Sequence, residues 1–288
     1  MTNTRSVLVT GASTGIGRAI ATDLARAGMQ VFGSVRSQED ADALINATPA
    51  GALPMVAVVM DVRDSSSVQA AAAKLTDKLG EDGLWALVNN AGISVAGPLE
   101  YLPEDAFQLQ MDVNVTGVLR CVQAFMPLLK ITSGRVVNIS SMTGRVAFPT
   151  IGAYTCSKFA LEGMSDALRL ELRVHGMNVS VIQPGSIATP IWERSRARAT
   201  EIMKTIPEHG KLEYRQMIDQ ALETTESNGD DGDDPQAVAD VVRHALTAKR
   251  PRTRYVVGKD AKVLLFLRRW LLSDRSLDKL IRRNLGLM

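Results

Sequence analysis

The stretch Ser6–Gly28, SVLVTGASTGIGRAIATDLARAG, joins an apolar run to a helical pattern through a loop built almost wholly of small residues. The run Val7–Val9 reads as a buried strand and the pattern from about Ile16 as a helix. Gly11 permits a tight turn out of the strand, while Gly15 and Gly17 keep the backbone bare where the helix begins. Unpaired N–H groups and the helix dipole favour an anion at that point. The glycines fall as G-x-x-x-G-x-G rather than as the commoner G-x-G-x-x-G. A plain strand–turn–helix joint needs small residues too, so the loop alone does not specify a ligand.

The rest of the chain repeats the same alternation. Val/Ile/Leu-rich runs at 6–10, 30–35, 55–60, 84–89, 135–140, 178–183 and 254–257 alternate with helical patterns near 16–28, 38–47, 65–79, 103–130, 152–175 and 235–248. Runs without polar alternation, such as PMVAVVM and GRVVNIS, imply burial on both faces, as parallel sheets require. The expected fold class is α/β, a single Rossmann-like doubly wound parallel sheet with helices on both faces and ligand at the carboxyl ends of the strands. No composition break marks a linker, so residues 1–288 are read as one domain. Within it, 190–234 is a substrate lid or insert and 261–288 a C-terminal helical tail.

The acidic run ETTESNGDDGDDP lacks the alternating ligands and terminal Glu of a calcium loop and is read as a solvated loop. Asp234-Pro235 then starts a helix, with a capping acid before Pro at its first position. The tail AKVLLFLRRWLLSDRSLDKLIRRNLGLM interleaves apolar clusters with Arg268, Arg269, Arg275, Arg282 and Arg283. It is read as a helix packed on the domain or on a neighbouring subunit, with weak contact to an anionic membrane surface as the alternative.

Charge narrows the partners. A net charge of +2, from 33 basic and 31 acidic residues, lacks the basic excess of a nucleic-acid-binding protein. Cys121 and Cys156 are too few for a disulfide framework and fit a reduced, cytoplasmic setting. His175, His209 and His244 have no metal-ligand spacing, so no metal site is expected. The N-terminus has no apolar signal region, and no apolar stretch approaches the ~18 residues of a membrane span.

The motifs become specific in sequence order: Thr10-Gly-x-x-x-Gly-Ile-Gly, DV at 61–62, NNAG at 89–92, Asn114, Ser141, YTCSK at 154–158 and PG at 184–185. This ordered set resembles the short-chain dehydrogenase/reductase family, densely over residues 5–190 and loosely beyond. MDVRDSSSV and GRVAFPTIGAYTCSKFALEG are most similar to its steroid and retinol dehydrogenase branch. The resemblance implies a nicotinamide cofactor held at Gly11, Ser13, Thr14, Gly15, Ile16 and Gly17. It implies that Asp61 and Val62 flank the adenine and that Asn90, with Ala91 and Gly92, lies along the ribose. Ile187 and Thr189, just after Pro184-Gly185, are expected at the nicotinamide amide.

The second strand ends VFGSVRS. In Rossmann-like sheets an acid at this place hydrogen-bonds the adenosine ribose 2′-OH, whereas an Arg accommodates a 2′-phosphate. Arg36 stands here with no acid before Glu39, which favours NADP(H) over NAD(H).

Tyr154 and Lys158 are i, i+4 in a helical pattern and share a face. A tyrosine with pKa near 10 is a poor acid or base at neutral pH. An ammonium about 4 Å away stabilises a phenolate by up to ~4 kcal/mol at an effective dielectric of 20. Tyr154 is therefore expected below its ordinary pKa, ready to exchange a proton with an alkoxide or an alcohol. By resemblance, Lys158 also binds the nicotinamide ribose. Ser141, better spaced from Tyr154 than Ser140 is, polarises the substrate carbonyl. By the same resemblance, Asn114 is expected to hold a water leading from Lys158 to solvent. Cys156, with no activating partner nearby in sequence, reads as a small packed residue.

The expected function is an NADP(H)-dependent oxidoreductase interconverting an alcohol and its ketone or aldehyde by hydride transfer, with Tyr154 as acid/base. The segment 190–230 supplies Ile191, Trp192, Ile202, Met203, Ile206, Tyr214, Met217 and Ile218, a greasy lid suited to a steroid, retinoid or long-chain carbonyl. Segments 94–100 and 142–152 are expected to contribute to specificity. The alternatives are a ketoreductase of 3-oxoacyl type acting on acyl thioesters, an epimerase or dehydratase that keeps its cofactor, and a catalytically silent NADP(H)-sensing protein. Relatives pair through the helices at 103–130 and 152–175, which implies a homodimer or homotetramer.

Overall fold

The computed structural model describes residues 4–286, without the side chains of residues 225, 227, 228 and 230. The first half of the chain runs β1 (Ser6–Val9), α1 (Gly15–Arg26), β2 (Gln30–Val35), α2 (Gln38–Asn46), β3 (Val56–Val59), α3 (Ser65–Leu79), β4 (Ala86–Asn89), α4 (Glu104–Met111), α5 (Gly117–Ile131) and β5 (Arg135–Ile139). The second half runs α6 (Gly152–Glu171), β6 (Asn178–Pro184), α7 (Ile191–Thr205), α8 (Glu208–Glu213), α9 (Arg215–Asp230), α10 (Pro235–Thr247), β7 (Arg254–Val257), α11 (Lys259–Trp270) and α12 (Asp274–Asn284).

Among the described residues the strands form one seven-stranded sheet in the order β3-β2-β1-β4-β5-β6-β7, with every pair parallel. Register is fixed where strands are apolar on both sides: Leu8 faces Phe32 on one flank and Leu87 on the other. Because side chains alternate across a strand, β1 feeds two layers. Val7 and Val9 join Ile20 and Leu24 of α1, Leu44 of α2 and Val238, Val242 and Leu246 of α10. Leu8 joins Val68 and Leu75 of α3, Val118 and Phe125 of α5 and Leu161 of α6. Full burial of a side chain such as Phe125 or Leu8 contributes about 1.5–3 kcal/mol, so the two layers anchor the sheet from both faces. The doubly wound parallel architecture read from the sequence is the observed one.

The helical pattern at 103–130 is observed, with α4 passing directly into α5 through a wide π-type turn over Asp112–Thr116. This extra-residue turn displaces the helix register locally and buries Asn114 at 1% exposure. The acidic run ETTESNGDDGDDP is not a loop throughout, because α9 continues to Asp230. Glu226 of α9 pairs with Arg196 of α7 at 3.1 Å, so neighbouring helices supply the stabilisation the isolated run lacks. Beyond it, Asp233 pairs in parallel with Ile187, and Asp234 caps α10 through the Gln236 N–H.

Candidate active site

The carboxyl ends of β1, β2, β4, β5 and β6 open into one cavity, lined along one side by the glycine loop and along the other by the segments after β5 and β6. Gly11 lies at φ +65°, a conformation costly for any residue with a Cβ, and its backbone approaches Ala91 too closely for a side chain. At Gly17 a Cβ would overlap the Gly11 carbonyl oxygen. Gly15 starts α1 directly beneath Thr189. Thr14 precedes α1 without a side-chain cap, and the first turn carries no acid. By contrast Ser37, Asp64, Asp234 and Ser273 cap α2, α3, α10 and α12. The start of α1 is thus a bare set of N–H donors bordered by Ser13, Thr14, Ile16 and Gly17 of the cavity wall, which suits a diphosphate.

The loop is braced from beneath. The Asn90 side-chain amide donates to the Thr10 and Gly11 carbonyls at 2.9 and 3.1 Å, and Thr10 Oγ1 accepts from the Asn90 and Ala91 N–H groups. Asn90 borders the cavity while its amide N–H groups hold the loop. Asp61 is likewise engaged. Arg63 grips its carboxylate at 2.9 Å through Nη2 and holds it below the usual carboxylate range. Val62, Gly92 and Arg36 also line the cavity, with Arg36 exposed at the end of β2.

The segment after β6 closes the far side. Asp260 of α11 accepts from the Ser186 N–H at 2.9 Å and fills the space beside Gly185, which fixes the Pro184-Gly185 turn. Ile187 turns its side chain into the core, and its carbonyl accepts the Trp192 indole N–H at 2.7 Å and the Thr189 hydroxyl at 3.4 Å.

The four residues singled out for chemistry meet where β5 ends. Ser141 follows the strand, and its Oγ accepts the Thr143 N–H at 3.2 Å and stands near enough to the Tyr154 phenol to act on it. Ser140 Oγ is buried without a partner among the described residues, so Ser141 is the serine that faces Tyr154. Lys158, 6% exposed, donates from Nζ to the Ile139 carbonyl at 2.8 Å. Its Nζ lies 5.5 Å from the centre of the Tyr154 ring. Asn114 Oδ1 accepts the Ile93 N–H at 2.9 Å, and its Nδ2 donates to the Ile93 carbonyl and to Ser157 Oγ. The Asn114 side chain therefore ties the turn after β4 to α6.

The electrostatics also depart from expectation. Burial pushes the Tyr154 phenol up to about 12, with the Ser141 hydroxyl acting in the opposite direction. Burial pulls the Lys158 amine down to about 8, opposed by the Glu162 carboxylate. In the protein alone, desolvation outweighs the attraction that was expected to acidify Tyr154. The reason is geometric: Lys158 is buried and held by a strand carbonyl, and Tyr154 is half-buried against the cavity wall.

Sequence reasoning missed four contributors. Glu162, 4% exposed, stands one helical turn past Lys158 and accepts from Gln183 at 2.8 Å and from Arg254 Nε at 2.9 Å. The i, i+4 step that linked Tyr154 to Lys158 extends to Glu162, so the signal was present. Gln110 donates to the Ile93 carbonyl and accepts the Val95 N–H, for which no sequence signal existed. Arg194 and Arg198 project into the cavity from α7.

The expected lid divides in two. Ile191, Trp192 and Met217 line the cavity, whereas Ile202 and Ile206 are buried beneath it. Ser195 anchors α7 to Ser94 at 3.2 Å, and the Tyr214 hydroxyl donates to Glu100 at 2.8 Å. In the tail, Leu277 and Ile281 of α12 pack on Val146 and Phe148, while Val263, Phe266 and Trp270 of α11 stay exposed. No helix among the described residues is long and apolar enough to cross a membrane.

Known proteins are similar to this chain in sequence and fold. The family model for short chain dehydrogenases matches residues 5–200. Retinol dehydrogenase 7 of Mus musculus is 36% identical over 261 residues, covering 89% of this chain and 81% of that protein. The NADPH-dependent 3-dehydrocapnine reductase of Ornithobacterium rhinotracheale is 35% identical over 286 residues, covering 98% and 97%. A solved short-chain dehydrogenase from Streptomyces avermitilis aligns with a TM-score of 0.73 at 28% identity, over 93% of this chain and 96% of that one. With a family match across most of its length and a nucleotide cradle at the sheet's carboxyl edge, the chain belongs to the short-chain dehydrogenase/reductase family of NAD(P)-dependent oxidoreductases acting on CH–OH groups.

Proposed function

We propose that this protein is an NADP(H)-dependent reductase or dehydrogenase of a lipophilic alcohol–carbonyl pair, with Tyr154 as the proton donor and acceptor. The observation that carries the reading is the convergence of the Ser141 hydroxyl, the Tyr154 phenol and the Lys158 amine on one cavity, which also contains the glycine cradle and Arg36. When bound, the nicotinamide supplies or accepts the hydride. The bare N–H groups of α1 hold the diphosphate, and Arg36 favours a 2′-phosphate over a hydroxyl. Ser141 donates to the substrate oxygen, and Tyr154, protonated at neutral pH, gives its proton to that oxygen as it becomes an alkoxide. Lys158 sits beside the phenol and stabilises the phenolate left behind.

The substrate class follows from the lining. Ile191, Trp192, Met217 and Phe148 present apolar surface at the cavity wall, which suits a steroid, retinoid or long-chain carbonyl. The relatives named for retinol and for an NADPH-dependent reduction support the same choice. Assembly into a homodimer or homotetramer through α5 and α6 fits the exposure of Leu119, Phe159 and Leu170. The test is a screen of steroid, retinoid and acyl-thioester carbonyls with NADPH and again with NADH. Turnover of a lipophilic carbonyl with a clear NADPH preference is expected. Equal use of NADH, or turnover confined to acyl thioesters, would contradict the reading.

A further inference from the structure

Three arginines face one end of the cavity, with the Asp61 carboxylate near enough to Arg36 to feel its charge. Arg36 comes from the end of β2, and Arg194 and Arg198 from successive turns of α7. None of their guanidinium groups has a hydrogen bond or ion pair with a described residue. The acid nearest in kind, Asp61, is already gripped by Arg63. On the same helix Arg196, which does not line the cavity, pairs with Glu226, so α7 is not simply short of acids. The separation by one turn places Arg194 and Arg198 on the face that α7 turns to the cavity.

Arg198 is the informative member. It is half-buried, and its guanidinium is destabilised by that burial and by repulsion from Arg36 and Arg194. A chain that holds three like charges against one cavity wall is arranged for a multiply charged anion, and a phosphate monoester accepts several forked N–H donors at once.

We propose that Arg194 and Arg198 of the lid helix join Arg36 to form a three-arginine site for the phosphate monoester on the cofactor's adenosine ribose. This rests on the NADP(H) reading and extends it to a second element, because α7 also carries Ile191 and Trp192 of the apolar wall. The same phosphate that Arg36 selects then holds down the helix that covers the substrate. Arg36 alone would leave α7 indifferent to which nicotinamide cofactor is present.

The test uses the full chain and two probes that differ by a single phosphate, 2′,5′-ADP and 5′-ADP, with dissociation constants measured by titration calorimetry. Arg36→Gln, Arg194→Gln and Arg198→Gln are compared with the unaltered protein, and thermal melting checks folding. The unaltered protein should bind 2′,5′-ADP far more tightly than 5′-ADP. Arg198→Gln should weaken 2′,5′-ADP about ten- to a hundredfold and 5′-ADP less than about twofold. Its melting temperature should not fall, since the substitution removes repulsion and no partner. As an independent readout, 2′,5′-ADP but not 5′-ADP should protect the amides of α7 from hydrogen exchange.

Three results would overturn the proposal, and they separate its failure from that of the NADP(H) reading. If Arg36→Gln alone abolishes the preference while both α7 variants retain it, the reading stands and α7 has no part. If Arg198→Gln weakens both probes equally, its partner is the diphosphate. If the unaltered protein does not distinguish the probes, the NADP(H) reading fails as well.

Discussion

The Lys158 ammonium donates to the Ile139 carbonyl at 2.8 Å while standing 5.5 Å from the centre of the Tyr154 ring. The last carbonyl of β5 therefore sets where the charge sits, and α6 sets the distance from charge to phenol. Glu162, on the next turn of α6, is the one group whose field raises the Lys158 pKa against the cost of burial. Lys158 is charged below about 8 and neutral above it. A neutral amine no longer stabilises the phenolate, so kcat/KM for carbonyl reduction should fall on the alkaline side.

Glu162→Gln keeps the shape but removes the charge that favours the lysine's protonated form. The alkaline limb of the pH profile should therefore move to lower pH, with little change at pH 6. A limb that stays in place, or moves upward, would show that Lys158 does not govern it. The measurement is kcat/KM from pH 5.5 to 10 for both proteins.

Gly17→Ala and Gly28→Ala separate close approach from simple strain. At Gly17 the added methyl meets the Gly11 carbonyl and the Asn90 amide, so the cradle itself has to shift. Cofactor affinity should drop at least about tenfold, and the melting temperature should fall with it. Gly28 has φ +79° and nothing within 4 Å of a built Cβ. Its replacement should cost about 1–2 kcal/mol of stability and leave cofactor affinity unchanged. Calorimetric titration and thermal melting of the two variants give both numbers.

Asn114→Ala removes a buried bridge, leaving the Ile93 N–H unpaired beside the cavity while the Ile93 carbonyl keeps the Gln110 amide. A loss of about 1–3 kcal/mol is expected, seen as a melting temperature lower by a few degrees. Turnover should fall further than the folded fraction does, because the bridge positions α6 through Ser157. An unchanged melting temperature would mean that the turn after β4 is held by other contacts.

Much of this architecture was legible in the chain because local and long-range signals agree. Apolar runs such as GRVVNIS are too evenly apolar for any place but a parallel sheet, and the G-x-x-x-G-x-G loop sits where a bare helix start faces the strand ends. Spacing along one helix face brought Tyr154 and Lys158 together. It did not disclose the Ile139 carbonyl that holds the lysine, since that contact joins a strand to a helix across 19 positions. Nor could it disclose that burial outweighs attraction at Tyr154, which depends on how completely the surrounding elements exclude water. The π-type turn between α4 and α5 was hidden for another reason. A π-type turn adds one residue without any breaker, so the apolar periodicity runs through Asp112–Thr116 with no visible gap. The helix through ETTESNGD was missed because its support, Arg196 of α7, lies 30 positions away.

The most direct test of the account is the rate of NADPH oxidation by Tyr154→Phe after mixing with an excess of an accepted carbonyl, followed by stopped-flow fluorescence. The substitution removes one hydroxyl from a ring whose position is set by α6, so NADPH affinity and melting temperature should match the unaltered protein. Oxidation should slow by about a hundred- to ten-thousandfold, the range expected for loss of a positioned proton donor. Oxidation within about threefold of the unaltered rate, with binding intact, would contradict the assignment of Tyr154 as the residue that delivers the proton.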